Sequence, residues 1–402
     1  MGNALAVKKK IKRAKQVAQG TPQTAGSQYT RRTSATFRKA SDTYTNNEIV
    51  DHMQSTGATE GTYSTAGKLD GLLSPATYAQ EFANLIRAPW AATAALAGMS
   101  ITIAAAGQAW TITRAAGNFL TDGVKQFDVI RLPTAAFNAA NKDKNLLVLS
   151  ITATVLTVIP LNGVPLVAEG PIAAAALNVP GKKCWALMTG HTNDFYTWEV
   201  WNPDVPASNV YQDCKVGAAQ IQVPASGNPT VSFDIIGLGR TSGTVEVLTA
   251  PTAATTTTVL ADAQGKAVIN GVVTPLTSIN INVSMGGEPG AAEIGSQARS
   301  GIIEDVLSVS GSFTAKFSSL TLQGIRDNQN IIPIAIPIAT DNSASADFIC
   351  MVMSAVNVFT DDEDDGKEII KTYNYTAKIP LTGGAALANH QTIVSIQDSQ
   401  AP

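Results

Sequence analysis

The stretch VYQDCKVGAAQIQV-PASGNP-TVSFDIIGL, residues 210–238, predicts a long β-hairpin. Its two outer segments are rich in Val and Ile residues, which favour strands, and contain the aromatic residues Tyr211 and Phe233. The six residues between them, Pro224–Pro229, are of the kinds that form turns. The hairpin makes antiparallel β structure the expected basis of the fold.

The C-terminal half repeats features of the N-terminal half in the same order, which predicts a duplicated β unit. The matched features are Glu48-Ile49 with Glu293-Ile294, Gly61–Thr65 with Gly311–Ala315, Cys214–Ala219 with Cys350–Ala355, and the polar turns 224–229 and 360–367. Each turn leads into a β run, Thr230–Phe233 in the first half and Thr372–Tyr375 in the second.

One helix is predicted over residues 74–88, because Ser74 suits the N-cap and Pro75 the first helical position. Tyr78, Phe82, Leu85 and Ile86 follow at the spacing of one buried stripe, and Pro89 ends the helix. The second half shows no equally clear partner for it, which counts against close duplication.

These segments predict a mainly β chain in four parts. They are a basic, flexible N-terminal arm (1–29), a first β domain (30–90 with 181–245), a small inserted β domain (91–180), and a linker with a second β domain (246–402).

The charge of the chain is low and unevenly distributed. Charged residues make up 15% of the 402 residues, against about 25% in a typical soluble domain. The first 41 residues contain ten of the 28 Lys and Arg residues and no Asp or Glu, so residues 42–402 have a net charge of −13. Low charge favours large faces covered by other copies of the chain. The basic arm is either a solvated tail, a nucleic-acid contact or a strap onto an acidic neighbour.

Two charged clusters are the candidate contact residues between subunits or rings. They are Lys8, Lys9, Lys10, Lys12, Arg13 and Lys15 in the arm, and Asp361, Asp362, Glu363, Asp364 and Asp365 in the second half. The acidic cluster is expected at a solvated hairpin turn, because five adjacent carboxylates repel one another. Its spacing does not follow the calcium loop of an EF-hand.

No segment predicts catalysis, a metal site or a cofactor. Cys184, Cys214 and Cys350 are far apart and form no metal or disulfide pattern, so they are expected to be core residues of a protein made in a reducing cytoplasm. The histidines lack the surroundings of a catalytic triad, and Gly237–Gly243 lacks the end of a phosphate-binding loop. No secretory signal and no transmembrane helix are predicted.

Several of these segments together resemble the tail tube proteins of long-tailed bacteriophages. Arg31–Phe37 with Glu48-Ile49 is similar to the first long strand and its charged loop, and Tyr211–Leu238 to the long hairpin. Gly61–Thr65, Ser74–Tyr78 and Phe82–Ile86 resemble the strand-then-helix unit, Trp110–Leu132 a small β insertion, and Gly311–Phe317 the repeated strand. The resemblance covers most of residues 30–380.

The resemblance implies tail-tube-type β-sandwich or barrel units and a structural, non-enzymatic virion protein, assembled in the host cytoplasm. Such proteins form stacked rings around a channel for DNA, so the implied partners are other copies, the tape measure protein, passing DNA and other tail components. Two units per chain would give a trimeric pseudo-hexameric ring, whereas one would give a hexamer. The alternatives are a baseplate or decoration protein, or a carbohydrate-binding or hydrolytic β protein using the aromatic residues of 185–201.

Overall fold

The structure, a computed structural model, describes residues 3–49, 51, 54 and 57–402, without the side chains of Asp262 and Asp365. Strands dominate, which confirms the prediction of a mainly β protein. The elements up to the end of the insertion are β1 (Lys10–Lys15), β2 (Gln28–Tyr29), β3 (Ser34–Thr45), β4 (Ala58–Leu72), α1 (Ala79–Ile86), β5 (Leu96–Ala106), β6 (Ala109–Arg114), β7 (Val129–Ile130), β8 (Leu146–Ile151), β9 (Val155–Pro160) and β10 (Glu169–Leu177). The remaining elements are β11 (Lys182–Trp185), β12 (Tyr196–Asn202), β13 (Ala207–Val223), β14 (Thr230–Gly237), β15 (Gly239–Gly243), a 3₁₀ turn (Asp262–Gln264), β16 (Val268–Ile269), β17 (Val272–Val273), β18 (Ser278–Ser284), β19 (Glu288–Pro289), β20 (Ile302–Ile303), β21 (Ser308–Lys316), α2 (Thr321–Asp327), β22 (Ile332–Ala339), β23 (Phe348–Val358), β24 (Asp362–Asp365), β25 (Ile369–Ala377) and β26 (Ser395–Asp398).

The main sheet is antiparallel and has the order β3–β4–β14–β13–β18–β21–β25. The end of β23 and then β24 pair along the far side of β25 and together form the last strand. The predicted hairpin is confirmed as β13 and β14, joined by residues 224–229. We call this set of eight strands the main sheet.

The two faces of the main sheet differ because apolar and polar residues alternate along its strands. In β18, Ile279, Ile281 and Val283 are buried, whereas the intervening Ser and Asn residues are partly exposed. A row of directly paired polar residues crosses the whole sheet: Ser34, Asp70, Ser232, Gln220, Asn282, Ser310, Thr376 and Asn357. One face therefore packs on the protein core and the other is polar.

The first and second halves of the main sheet contain the same order of elements. In each half two paired strands precede a helix: β3, β4 and α1 in the first half, and β18, β21 and α2 in the second. A later hairpin then pairs with the second of the two strands, which is β4 in the first half and β21 in the second. Helix α1 thus has a counterpart in the second half, α2, which the sequence analysis did not predict. Helix α2 was missed because it has only seven residues and contains Gly324.

Two local contacts set the residue correspondence between the halves. The Thr33 amide donates to the Asp70 carbonyl at 2.8 Å, and the Thr277 amide donates to the Thr314 carbonyl at 2.8 Å. Positions 244 residues apart therefore correspond, and Gly67, not Gly61, corresponds to Gly311.

Helix α1 packs its predicted stripe against the main sheet. Tyr78, Phe82, Leu85 and Ile86 are buried, and the Phe82 ring lies 5.2 Å from that of Phe233. The helix begins at Ala79 rather than at 75, so the predicted Ser74 cap is wrong. The chain turns before α1 because the Ala76 amide donates to the distant Asp398 carboxylate at 2.8 Å rather than entering the helix.

A second layer and the insertion complete the fold. Strands β2, β1, β12 and β15 adjoin the first part of β13, while β17, β16, β22, β26 and β11 adjoin the first part of β23. Strands β5–β10 form a separate six-stranded sheet. Phe127, Val129 and Leu147 of the insertion pack against Phe348 and Cys350 of β23. These contacts anchor the insertion to the second half.

His390 lies where the insertion meets the rest of the chain. Its ring stacks on Trp185, with 4.6 Å between the ring centroids, and its Nε2 is buried without a hydrogen-bond partner. Burial, with the nearby Lys183 and Lys125, lowers the pKa of His390 to about 3. The imidazole is therefore neutral in the folded chain.

His390→Phe is expected to remove a loss of stability in acid. A histidine with a folded pKa below its unfolded value of about 6.5 contributes full stability above pH 6.5 and loses it as the pH falls towards 3. Relative to the parent, the variant should gain about 2 kcal/mol in the free energy of unfolding between pH 7 and pH 5. Burial raises the pKa of Asp398 to about 6, which stabilises both proteins as the pH falls below 6, so the difference between them isolates His390.

Denaturant unfolding at pH 7 and pH 5 measures this difference. His191→Phe, at an exposed histidine, is the matched control and should follow the parent. Equal pH dependence of His390→Phe and the parent would show that the buried imidazole does not set the acid response.

Candidate assembly interface

The main sheet has two open edges. Within the residues that the structure describes, β3 pairs only with β4, and no strand pairs with the outer side of β24. Open edges present unpaired backbone N–H and C=O groups, which can pair with a strand of another chain. These two edges are therefore the candidate sites of self-association.

The two edges carry opposite charges. Arg38 and Lys39 lie on β3, where Arg38 is exposed and Lys39 pairs with Glu60 at 3.0 Å. The one carboxylate of the strand, Asp42, is paired with Arg299 at 2.7 Å. At the other end, β24 has the sequence Asp-Glu-Asp-Asp, and Asp362, Glu363 and Asp364 are exposed. An acidic edge and a basic edge on one chain favour head-to-tail contact between copies.

The acidic cluster forms a strand, so its predicted location in a turn is wrong. The turn follows it at 366–368, and β24 pairs with the first residues of β25. Asp361 and Glu363 lie 3.7 and 3.3 Å from the buried Lys371 ammonium, and Asp361 also lies 3.4 Å from Arg326. Backbone pairing and these cations offset the repulsion that suggested a fully solvated turn.

The prediction of a flexible arm over 1–29 is wrong for Lys10–Lys15, which form β1 and pair with β12. Lys12 is 0% exposed, and its ammonium donates to Glu199 at 2.9 Å, to the Leu248 carbonyl at 2.8 Å and to Glu246. Arg13 is buried and pairs with Glu81 in the first turn of α1. Both cations are therefore satisfied inside the chain and cannot contact another ring.

The Glu199 carboxylate is held by several donors. Burial alone would raise the pKa of Glu199, but donors from Ser208, Val247, Lys12 and Leu248 outweigh it and lower the pKa. The Ser208 hydroxyl lies 2.6 Å away, and the amides of Val247 and Leu248 each lie 2.8 Å away. This network fastens β1 to β12 and to the segment after β15.

The other predicted basic residues remain nearer the surface. Lys8 and Lys10 are exposed, and Lys10 lies over the Tyr29 ring at 5.8 Å. Lys15 pairs with Asp194 at 2.7 Å, whereas Lys9 donates to the Ala35 carbonyl of β3 at 2.5 Å. Lys9 is thus the one of these four that touches an open edge of the main sheet.

The polar face of the main sheet consists mainly of neutral side chains. We define it by Ser34, Thr36, Arg38, Lys68, Asp70, Thr230, Ser232, Asp234, Gln220, Gln222, Asn280, Asn282, Ser310, Ser312, Thr372, Asn374, Thr376, Asp362 and Asp364. The charged members are two cations and four carboxylates, a mildly negative balance. Such a face offers few groups that would hold a polyanion.

The aromatic segment at 185–201 does not form an exposed binding platform. Trp198 is 2% exposed, and its ring lies 5.6 Å from Phe37, while Trp185 stacks on His390. The three cysteines are buried and free. His52 lies outside the described residues.

In the part of the chain that the structure describes, no three His, Cys, Asp or Glu side chains are grouped as metal ligands. None of the helices described is long and apolar enough to span a membrane.

No curated protein sequence matches the chain. A family model described as phage tail tube protein matches residues 7–386, nearly the whole chain, including both halves of the main sheet and the insertion. This family is structural rather than enzymatic, and its members are components of the bacteriophage tail. The chain belongs to the phage tail tube protein family.

Proposed function

We propose that this chain assembles into rings of three subunits that stack into the hollow tube through which phage DNA is delivered. The observation that carries the proposal is the main sheet, in which two similar four-strand halves are joined and both ends are open. An open sheet of this kind becomes a closed barrel when copies pair end to end. The proposed role is structural, without catalysis or a cofactor.

The register of the main sheet gives the size of the proposed barrel. The row of paired residues that begins at Ser34 passes from Gln220 to Asn282, which corresponds to Arg38 in the first half. A row of directly paired residues therefore shifts by four residues along the strand direction for every four strands that it crosses. At about 3.3 Å per residue and 4.8 Å between strands, this shift gives a strand tilt of roughly 35°.

Three chains would supply 24 strands, and at that tilt the backbone barrel would be about 45 Å wide. Side chains would narrow the channel to roughly 35 Å, enough for a DNA duplex about 20 Å wide. Six chains would double the strand number and give a barrel of roughly 90 Å. The geometry thus favours the trimeric pseudo-hexameric ring over the hexamer.

In this arrangement the polar face lines the channel. The tape measure protein would occupy the channel before DNA does, as the family resemblance implies, and other tail components would cap the tube. The exposed Lys8 and Lys10 remain candidates for contact between stacked rings, whereas Lys12 and Arg13 do not.

Electron microscopy of the purified chain tests the proposal. We expect rings with threefold symmetry in top view, with a mass three times 41.8 kDa, and tubes at high concentration. A sixfold ring of six chains would contradict the stoichiometry. A monomer at millimolar concentration would contradict self-assembly.

A further inference from the structure

We infer that the acidic strand β24 of one copy pairs with the basic strand β3 of the next copy, with Asp362 directly opposite Arg38. This inference rests on the proposed ring and specifies the contact that closes it. The chain contains its own template for the contact, because β13 and β18 join the two halves of the main sheet inside one subunit.

The correspondence between the halves transfers the register of that internal junction to the contact between copies. In the template, Gln220 lies opposite Asn282 and Ala219 lies opposite Val283. Asn282 corresponds to Arg38 and Val283 to Lys39, by the interval of 244 residues set above. On the other side of β13, Gln220 pairs with Ser232 of β14. The residue that corresponds to Ser232 in the second half is Thr372, which pairs with Asp362. Asp362 therefore corresponds to Gln220.

The transferred register brings opposite charges together. Asp362 meets Arg38 on the polar face, and Asp361 meets Lys39 on the other face. These charge pairs are independent of the register, which follows from backbone pairing inside the chain. Opposite charges directly across a strand pair stabilise it, and like charges destabilise it.

The charges also exclude wrong pairings of the edges. Two β3 strands would bring Arg38 and Lys39 near their own copies, and two β24 strands would oppose rows of carboxylates. Only the contact between β3 and β24 is favourable, and such a head-to-tail contact generates rings. The incoming strand must also displace Lys9 from the Ala35 carbonyl, its partner in the single chain.

Cysteine cross-linking tests the register. Asp362→Cys with Arg38→Cys is expected to give disulfide-linked oligomers up to a covalent trimer when rings are oxidised. Gln220→Cys with Asn282→Cys is the positive control, since these residues are paired inside one chain and should cross-link within a monomer. Glu363→Cys with Arg38→Cys is the negative control, because a shift of one residue places the side chains on opposite faces.

The outcomes separate this inference from the proposed function. Rings without a cross-link at 362 and 38, while the internal control cross-links, would overturn the register but leave the proposed tube intact. A cross-link at 363 and 38 would show a shifted register. Absence of rings and of all cross-links between chains would overturn both.

A charge exchange provides a second test. Arg38→Asp is expected to weaken assembly in low salt, because two carboxylates then face each other. Adding Asp362→Arg to that variant should restore ring formation, whereas Glu363→Arg should not. Failure of Asp362→Arg to restore assembly would contradict the pairing of these two residues.

Discussion

Lys12→Met is expected to lower the free energy of unfolding by about 3–5 kcal/mol, because it leaves the Glu199 carboxylate buried without its cation. Both side chains are 0% exposed, and the ammonium lies 2.9 Å from the carboxylate. The two residues also link β1 to β12, so the loss should loosen the N-terminal strand. Chemical denaturation monitored by tryptophan fluorescence measures the change, and Trp198 on β12 reports on this region.

Two further variants identify the cause. Lys10→Met makes the same chemical change at an exposed position of the same strand and should alter stability by less than about 0.5 kcal/mol. The double variant Lys12→Met with Glu199→Gln should recover part of the loss, because it removes the unpaired charge as well. Equal effects of Lys12→Met and Lys10→Met would contradict a buried ion pair.

This ion pair shows why the N-terminal segment was misread from its sequence. A count of charges cannot separate solvated lysines from paired ones when the partner is distant, and Glu199 is 187 residues from Lys12. The sequence KIKRAK does place Ile11 and Ala14 among the cations, and both are buried. These two residues lie three apart and so fall on opposite faces of a strand, which gives no alternating pattern from which β1 could have been predicted.

A repeated order of features was predicted from the sequence, but the register between the two halves was not. The runs at Thr230 and Thr372 lie in β14 and β25, which occupy matching places in the main sheet. Gly61 was matched to Gly311 because many β-strand sequences are alike, whereas hydrogen bonding assigns Gly67. Register depends on contacts between distant strands, and a single sequence does not contain them.

The acidic cluster was predicted to be a contact site because adjacent carboxylates need water or cations, and this role stays a prediction. Its secondary structure depends on Lys371 and Arg326, which approach it from β25 and from the end of α2. The two cations beside the cluster, Lys371 and Arg326, were not predicted from the sequence. The open edge at β3 became apparent only when the strand order was known.

Gln220→Lys with Ser310→Lys is expected to convert the channel of assembled tubes into a DNA-binding surface. Both residues lie on the polar face, with Asn282 between them in the same row, so the new charges are not directly opposed. A ring of three chains would gain six cations. Six phosphate contacts make DNA affinity fall by about 10³-fold between 50 and 200 mM salt, so the retention of DNA should be strong in low salt and weak in high salt.

The experiment assembles tubes with linear duplex DNA and measures the DNA that resists nuclease. Ala135→Lys with Ala136→Lys adds the same charge at exposed positions of the insertion, where bound DNA would stay open to the enzyme. The parent should protect little DNA, because its polar face is mildly negative and is expected to bind DNA weakly. If the Gln220 and Ser310 variant protects no more DNA than the insertion variant, the polar face does not line the channel. Protection that disappears in high salt would instead show that a neutral, hydroxyl- and amide-rich surface is what allows DNA to pass.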